Sequence, residues 1–163
     1  MKIINVLLTK HVDLGSHILY FLSDRGYTHA SIGLGEDQYF YSFNYRGFCI
    51  ETAEKHRRHG VKKSLCYQIE VSEQAYAMLQ KTIQRFRDCR SYFKYTRFGL
   101  FCCTFHVPFI WKNHYFCSQF VAELLHASGA VQLRKPAHLY LPDQFCSEVE
   151  YCGRLVHTLY NVV

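Results

Sequence analysis

Proline is scarce in this chain, with three residues in 163, and tryptophan occurs once. No Pro/Gly-rich linker, repeat or low-complexity tract breaks the sequence. Residues 1–163 therefore read as one domain, long enough to bury a sizeable core. Long apolar runs are absent as well. The longest, Phe98 to Trp111, carries Thr104, His106 and Pro108 and falls short of the roughly 20 residues that span a bilayer. Near the start, Ile3 to Leu8 contains Asn5 and is shorter than the apolar segment of a secretory signal, about 7–15 residues. The expectation is a cytoplasmic protein whose cysteines are free thiols. There are eight cysteines but no CxxC pair, and the vicinal Cys102 and Cys103 would make a poor tetrahedral clamp. Neither a metal site nor another cofactor is expected.

What the chain does have is aromatic side chains, 13 Tyr and 13 Phe, which suit a core of strands and large rings. Its formal net charge is +6. The densest basic run, Glu54 to Lys63, reads as a solvated turn before a strand; the functional alternative is a site for phosphate, acidic lipid or carboxylate. No aromatic is interleaved with that run, so a nucleic-acid partner is not expected.

Strand signals cover Lys2 to Leu8, Lys63 to Val71 and Gly153 to Tyr160. Ser16 to Leu22 suggests a helical turn or two. Tyr27 to Leu34 and Tyr39 to Tyr45 flank the turn signal Gly35–Gln38 and predict a β-hairpin. Ser72 is placed as the N-cap of a helix whose core stripe is Tyr76, Leu79, Ile83 and Phe86. Ser91 to Lys112 is aromatic and irregular. A second helix runs from about Ser118 to Ser128 and stops at Gly129, a favourable residue after a helix end. The segment containing Pro136 and Pro142 is read as a loop. The sum is an α+β fold, an antiparallel sheet with a few helices packed on it.

The stretch "HYFCSQFVAELL", residues 114 to 125, puts Cys117 at or just before the first turn of that second helix. Unpaired N–H groups and the positive end of the helix dipole favour a thiolate there and can stabilise an oxyanion. A buried, inert cysteine is the competing reading. A nucleophile needs a base. His11, His56, His59 and His138 fall in polar or turn-like sequence and are expected to face solvent. His126 is nine positions along the helix, too far from Cys117, and His114 sits on the approach loop. His29 lies inside a strand, which holds an imidazole more firmly. With the turn at Gly35–Gln38, Leu34 pairs with Tyr39, His29 lies opposite Asn44, and Ser42 is its diagonal neighbour. Either could orient the ring; a one-residue shift would put Phe43 or Tyr45 there instead.

The segments "YTHASIGLG…YFYSF" and "YFCSQFVAELL", in this order, resemble the NlpC-type papain-like cysteine hydrolase superfamily in its circularly permuted form. The chain is similar to the YiiX-like hydrolases and, more distantly, to lecithin:retinol acyltransferase-like enzymes. The resemblance implies a papain-like fold with the catalytic Cys at a helix N-terminus. It implies Cys117 as nucleophile, His29 as general base and then acid, and backbone N–H groups of Cys117 and Ser118 as oxyanion donors. It also implies a polar third residue on the strand after the histidine. YiiX-like members carry Glu there and acyltransferase-like members His, whereas the matching strand here offers Ser42 or Asn44. Glu51, beyond Gly47, and Glu36, in the turn, are outside candidates. The expected function is hydrolysis of an amide, ester or thioester in a small peptide, amino-acid amide or acyl-lipid. A lipid acyltransferase or thioesterase with the same dyad is the alternative. Its aromatic run "YFKYTRFGLFCCTFHVPFIW" would line an acyl pocket or make a peripheral membrane contact. A binding module that lost turnover is the third reading.

Overall fold

Lys2–Thr9 (β1) is apolar on both faces, and the reason is its place in the sheet. The computed structural model, which describes residues 1–11, 26–35 and 38–163, sets β1 between two neighbours. They are β2 (His29–Leu34) and, on the other side, β5 (Ser64–Val71). Every residue from Ile4 to Thr9 is consequently buried. The sheet grows outward through β3 (Phe40–Asn44), β4 (Gly47–Glu51) and β8 (Leu155–Tyr160) in the order β4-β3-β2-β1-β5-β8. All of its neighbouring strands run antiparallel. A parallel pair, β6 (Lys94–Tyr95) and β7 (His114–Tyr115), stands apart.

Helices pack against the sheet. After α1 (Ala53–Arg58) come α2 (Glu73–Asp88), α3 (Arg97–Thr104), α4 (Cys117–Ala127) and α5 (Phe145–Tyr151). The fold is α+β, as its sequence leads one to expect. Ser72 caps α2, its Oγ accepting from the Ala75 N–H at 3.1 Å, and Leu79, Ile83 and Phe86 are buried. Tyr76 is only half-buried. Four rings join this helix layer to the sheet: Phe43, Phe48, Phe86 and Phe120 stand with every pair of centroids 5.0–5.9 Å apart. Aromatic pairs at this spacing add about 0.5–1.5 kcal/mol beyond burial, so the cluster fixes α4 against β3 and β4.

Three local expectations change. The basic run is not an open turn: Thr52 Oγ1 accepts from the Lys55 N–H at 3.2 Å and starts α1. In α1, Glu54, Lys55, Arg57 and Arg58 face solvent while His56 turns inward, 2% exposed. The aromatic stretch 91–112 contains α3, started by Thr96, whose Oγ1 accepts from the Gly99 N–H at 2.9 Å. The segment with Pro136 and Pro142 forms two short 3₁₀ turns and leads into α5. The suggested helical turn at 16–22 lies outside the described residues. Among the described residues no helix is long and apolar enough to cross a membrane.

Candidate active site

The hairpin has the expected register, with Ile32 opposite Tyr41 and Gly33 opposite Phe40, but the pairing of β2 with β3 ends there. This early parting builds the site. The Gly35 N–H bonds to the Ile3 carbonyl at 2.8 Å, and Ile4 sits opposite Leu34. The odd residues of β1 are therefore the hydrogen-bonded partners, so the N–H and C=O of Ala30 point away from β1, toward β3. No residue of β3 pairs with Ala30. Instead, Ser42 Oγ donates to the Ala30 carbonyl at 2.6 Å, and the Ala30 N–H meets the sulfur of Cys117.

Cys117 reaches this gap because α4 begins with it. The N-cap is Phe116, which has no side-chain acceptor for the first N–H groups of the helix. They stay available, and the Ser118 N–H interacts with the Cys117 sulfur. Cys117 is 4% exposed, and its thiol interacts directly with the His29 side chain.

His29 is oriented by Glu51. Its Nε2 lies 2.9 Å from one carboxylate oxygen and 3.2 Å from the other, which leaves Nδ1 for the thiol. The pairings Thr9–His29, Gly33–Phe40 and Phe40–Glu51 put His29 and Glu51 on one face of the sheet. Glu51 is 6% exposed and has a second imidazole beside it, His56 Nε2 at 3.4 Å. The His11 ring sits edge-on to both, 5.1 Å from His29 and 5.5 Å from His56 between centroids.

The charges of this cluster support one another. Burial alone would pull the His29 pKa down, but the Glu51 carboxylate and the Cys117 contact outweigh it and hold it well above 6.5. Burial would raise Glu51; His29 first, and then His56, hold it well below the ordinary carboxylate value. Cys117 too would be raised by burial, yet the His29 interaction and the N–H groups of Ala30 and Ser118 hold its thiol below the ordinary value. Three other buried thiols go the opposite way. Burial pushes Cys66 up to about 11 and Cys103 up to about 12, and it raises Cys49 as well, with Glu51 nearby adding to it. These directions favour a thiolate–imidazolium pair braced by a carboxylate.

The third position differs from the two residues first in line by sequence. Asn44 does not meet His29: its Oδ1 accepts from the Arg46 N–H at 2.9 Å, as a turn residue of the β3–β4 hairpin. Ser42 is spent on the Ala30 carbonyl. Glu51, an outside candidate by sequence, takes the role; Glu36 lies outside the described residues. His56 and His11, expected to face solvent, instead turn their rings into this cluster, because α1 packs His56 against Glu51 and the His11 ring lies against both His29 and His56. For Glu51, one available signal was the short apolar run Phe48 to Ile50 after the Asn44–Gly47 turn, which marks a further strand with Glu51 at its end. Ser118 contributes its N–H at the helix start, and its Oγ is buried.

Among the described residues no group of three or more His, Cys, Asp or Glu side chains is arranged to hold a metal ion. A cavity of about 490 Å³, lined by Asn5, Phe40, Gln68 and His157 among others, contains neither Cys117 nor His29. No protein-family model matches the chain, and no curated protein matches it significantly in sequence.

Proposed function

We propose that the protein is a cysteine hydrolase of the circularly permuted, NlpC-type papain-like kind, acting on an amide, ester or thioester through an acyl-enzyme. The observation that carries this reading is Cys117 at an uncapped helix start, in contact with His29, whose Nε2 is held 2.9 Å from Glu51. The strand histidine precedes the cysteine helix, as the permuted order requires, and a glutamate meets it, the residue type of the YiiX-like hydrolases, here on β4 and not on the strand directly after the histidine.

The Cys117 thiolate attacks the carbonyl carbon, and the π electrons move to the oxygen. The N–H groups of Cys117 and Ser118 stabilise that oxyanion. When the tetrahedral intermediate collapses, the bond to the leaving group breaks, and His29 gives the leaving group its proton from Nδ1. The neutral imidazole then takes a proton from water as it attacks the thioester. Collapse releases the acid, restores the thiolate and leaves His29 protonated. Glu51 stays ionised throughout and holds the ring in the orientation that presents Nδ1. The steps call on no cofactor.

Acyl transfer to an amine or alcohol would share every step up to the acyl-enzyme. The aromatic helix α3 beside Cys117 favours keeping it as the second reading. The non-catalytic reading drew on a missing acidic orienter, and Glu51 removes that motive.

Alkylation by iodoacetamide, followed by peptide mass spectrometry across a pH series, tests the proposal. Modification should concentrate on Cys117 and persist below the ordinary thiol pKa. His29→Ala should move the profile upward. Labelling spread evenly over the cysteines, or a His29→Ala profile identical to wild type, would refute it.

A further inference from the structure

The outward face of α3 is apolar. Phe98, Phe101 and Phe105 follow i, i+3, i+7 spacing and are 56%, 57% and 63% exposed, while Cys102 and Cys103 face inward. Val107, Ile110 and Trp111, each more than half exposed, continue the same apolar stretch along the chain. The rings form a built surface: Phe98 and Phe109 meet edge-on at 4.8 Å between centroids, and Phe101 and Phe105 stand 4.9 Å apart. A helix apolar on both faces is ordinarily covered by something, and an exposed patch of this kind marks an interaction site.

Charge identifies the cover. From Cys89 to Ala122 the chain contains no Asp or Glu, yet Arg90, Lys94, Arg97 and Lys112 are all present and exposed. A purely apolar protein groove would leave those cations without a counterpart. An anionic bilayer accepts both, with rings among the acyl chains, cations at the headgroups and tryptophan at the boundary.

We propose that α3 and the loop through Trp111 form a docking surface for an anionic lipid bilayer. The inward side of α3 gives the position meaning: Cys103 packs with Leu141 and with Phe116, the residue before Cys117. Docking would hold the candidate active site at the membrane surface. It goes beyond the proposed reaction and holds whether or not Cys117 turns over substrate.

The test uses the full chain carrying Cys117→Ala, with vesicles of phosphatidylcholine alone or mixed with phosphatidylglycerol. Trp111 is the only tryptophan, so its emission reports directly on the patch. Anionic vesicles should shift it to the blue, shield it from aqueous iodide and sediment the protein. Each cation near an anionic surface strengthens binding by about fivefold, so with four cations partitioning should exceed that on neutral vesicles by about 600-fold. Phe98→Ser/Phe101→Ser/Phe105→Ser should abolish the shift. Lys94→Ser/Arg97→Ser/Lys112→Ser, confined to exposed charges, should cut binding to anionic vesicles by about a hundredfold and decides the matter if the first variant misfolds. The proposal is overturned if anionic vesicles leave the emission and sedimentation of the Cys117→Ala protein unchanged, or if the charge variant binds as that protein does. It is also overturned if the phenylalanine variant instead dissolves a self-associated form that binds no vesicles, which would assign the surface to a second copy of the chain.

Discussion

Replacing Glu51 by glutamine keeps the size of the side chain and removes the charge that braces His29. At 2.9 Å and an effective dielectric constant of about 20, the gross attraction is about 6 kcal/mol. Desolvation of the buried pair takes back much of this. What remains favours the imidazolium. Without it, burial is the largest influence left on His29 and pulls its pKa down. The imidazolium then no longer supports the Cys117 thiolate, and the thiolate fraction at neutral pH should fall by about tenfold or more. The assay is the rate of Cys117 alkylation against pH, with thermal melting as a control for folding. Glu51→Gln should shift the profile upward and slow alkylation at neutral pH. Glu51→Asp keeps the charge but shortens the reach, so it should retain more of the wild-type profile. A folded Glu51→Gln protein with the wild-type rate and profile would refute the reasoning, because the carboxylate would then not govern the dyad.

Ser42→Ala should lower stability by about 1–3 kcal/mol in a denaturant melt, since the Ala30 carbonyl loses its 2.6 Å donor inside the site. Asn44→Ala, which loses only a turn contact, should leave the alkylation profile where it is. The pH dependence of stability has two limbs. Glu51 is depressed in the fold, so its contribution is complete above its ordinary value of about 4.5 and is lost as pH falls through the lower folded value. His29 is raised, so its contribution is complete below about 6.5 and is lost as pH rises through the higher folded value. Denaturant melts across that range should show both limbs, and Glu51→Gln should flatten the acid one. A Cβ at Gly99 would stand 2.8 Å from Thr96 Cγ2 and 3.6 Å from the Phe116 ring. Gly99→Ala should therefore destabilise by about 1–3 kcal/mol, read as a lowered melting midpoint.

Much of the scaffold is legible in the sequence because it follows local rules. Ser72 marks a helix start, Gly35 to Gln38 a turn, and the β-forming run at residues 2 to 8 a strand, each from its own neighbours. The register across the hairpin also follows locally, since the turn sets which residues face each other. Cys117 at a helix start and His29 within a strand belong to this class. The rest does not. Helix α3 is hidden because apolar residues occupy both of its faces and blur the periodicity that would reveal it. His56 is hidden because a charged six-residue run does not show which side chain turns inward.

By itself, then, the sequence determined the α+β class, the hairpin register and the two residues facing each other across the candidate site. Tertiary structure decided the third. Asn44 and Ser42 were the local choices for orienting His29, but β2 and β3 part after Ile32 and Tyr41, and the opening is taken by the Cys117 sulfur and by Ser42 turned to the Ala30 carbonyl. Glu51 arrives from β4, beyond the intervening β3, on the same face as His29. That contact depends on where one strand stops pairing with the next, which no window of neighbouring residues encodes. Only the packed sheet, with α4 held against it by the Phe43, Phe48, Phe86 and Phe120 rings, brings the carboxylate, the imidazole and the thiol into one line of charge.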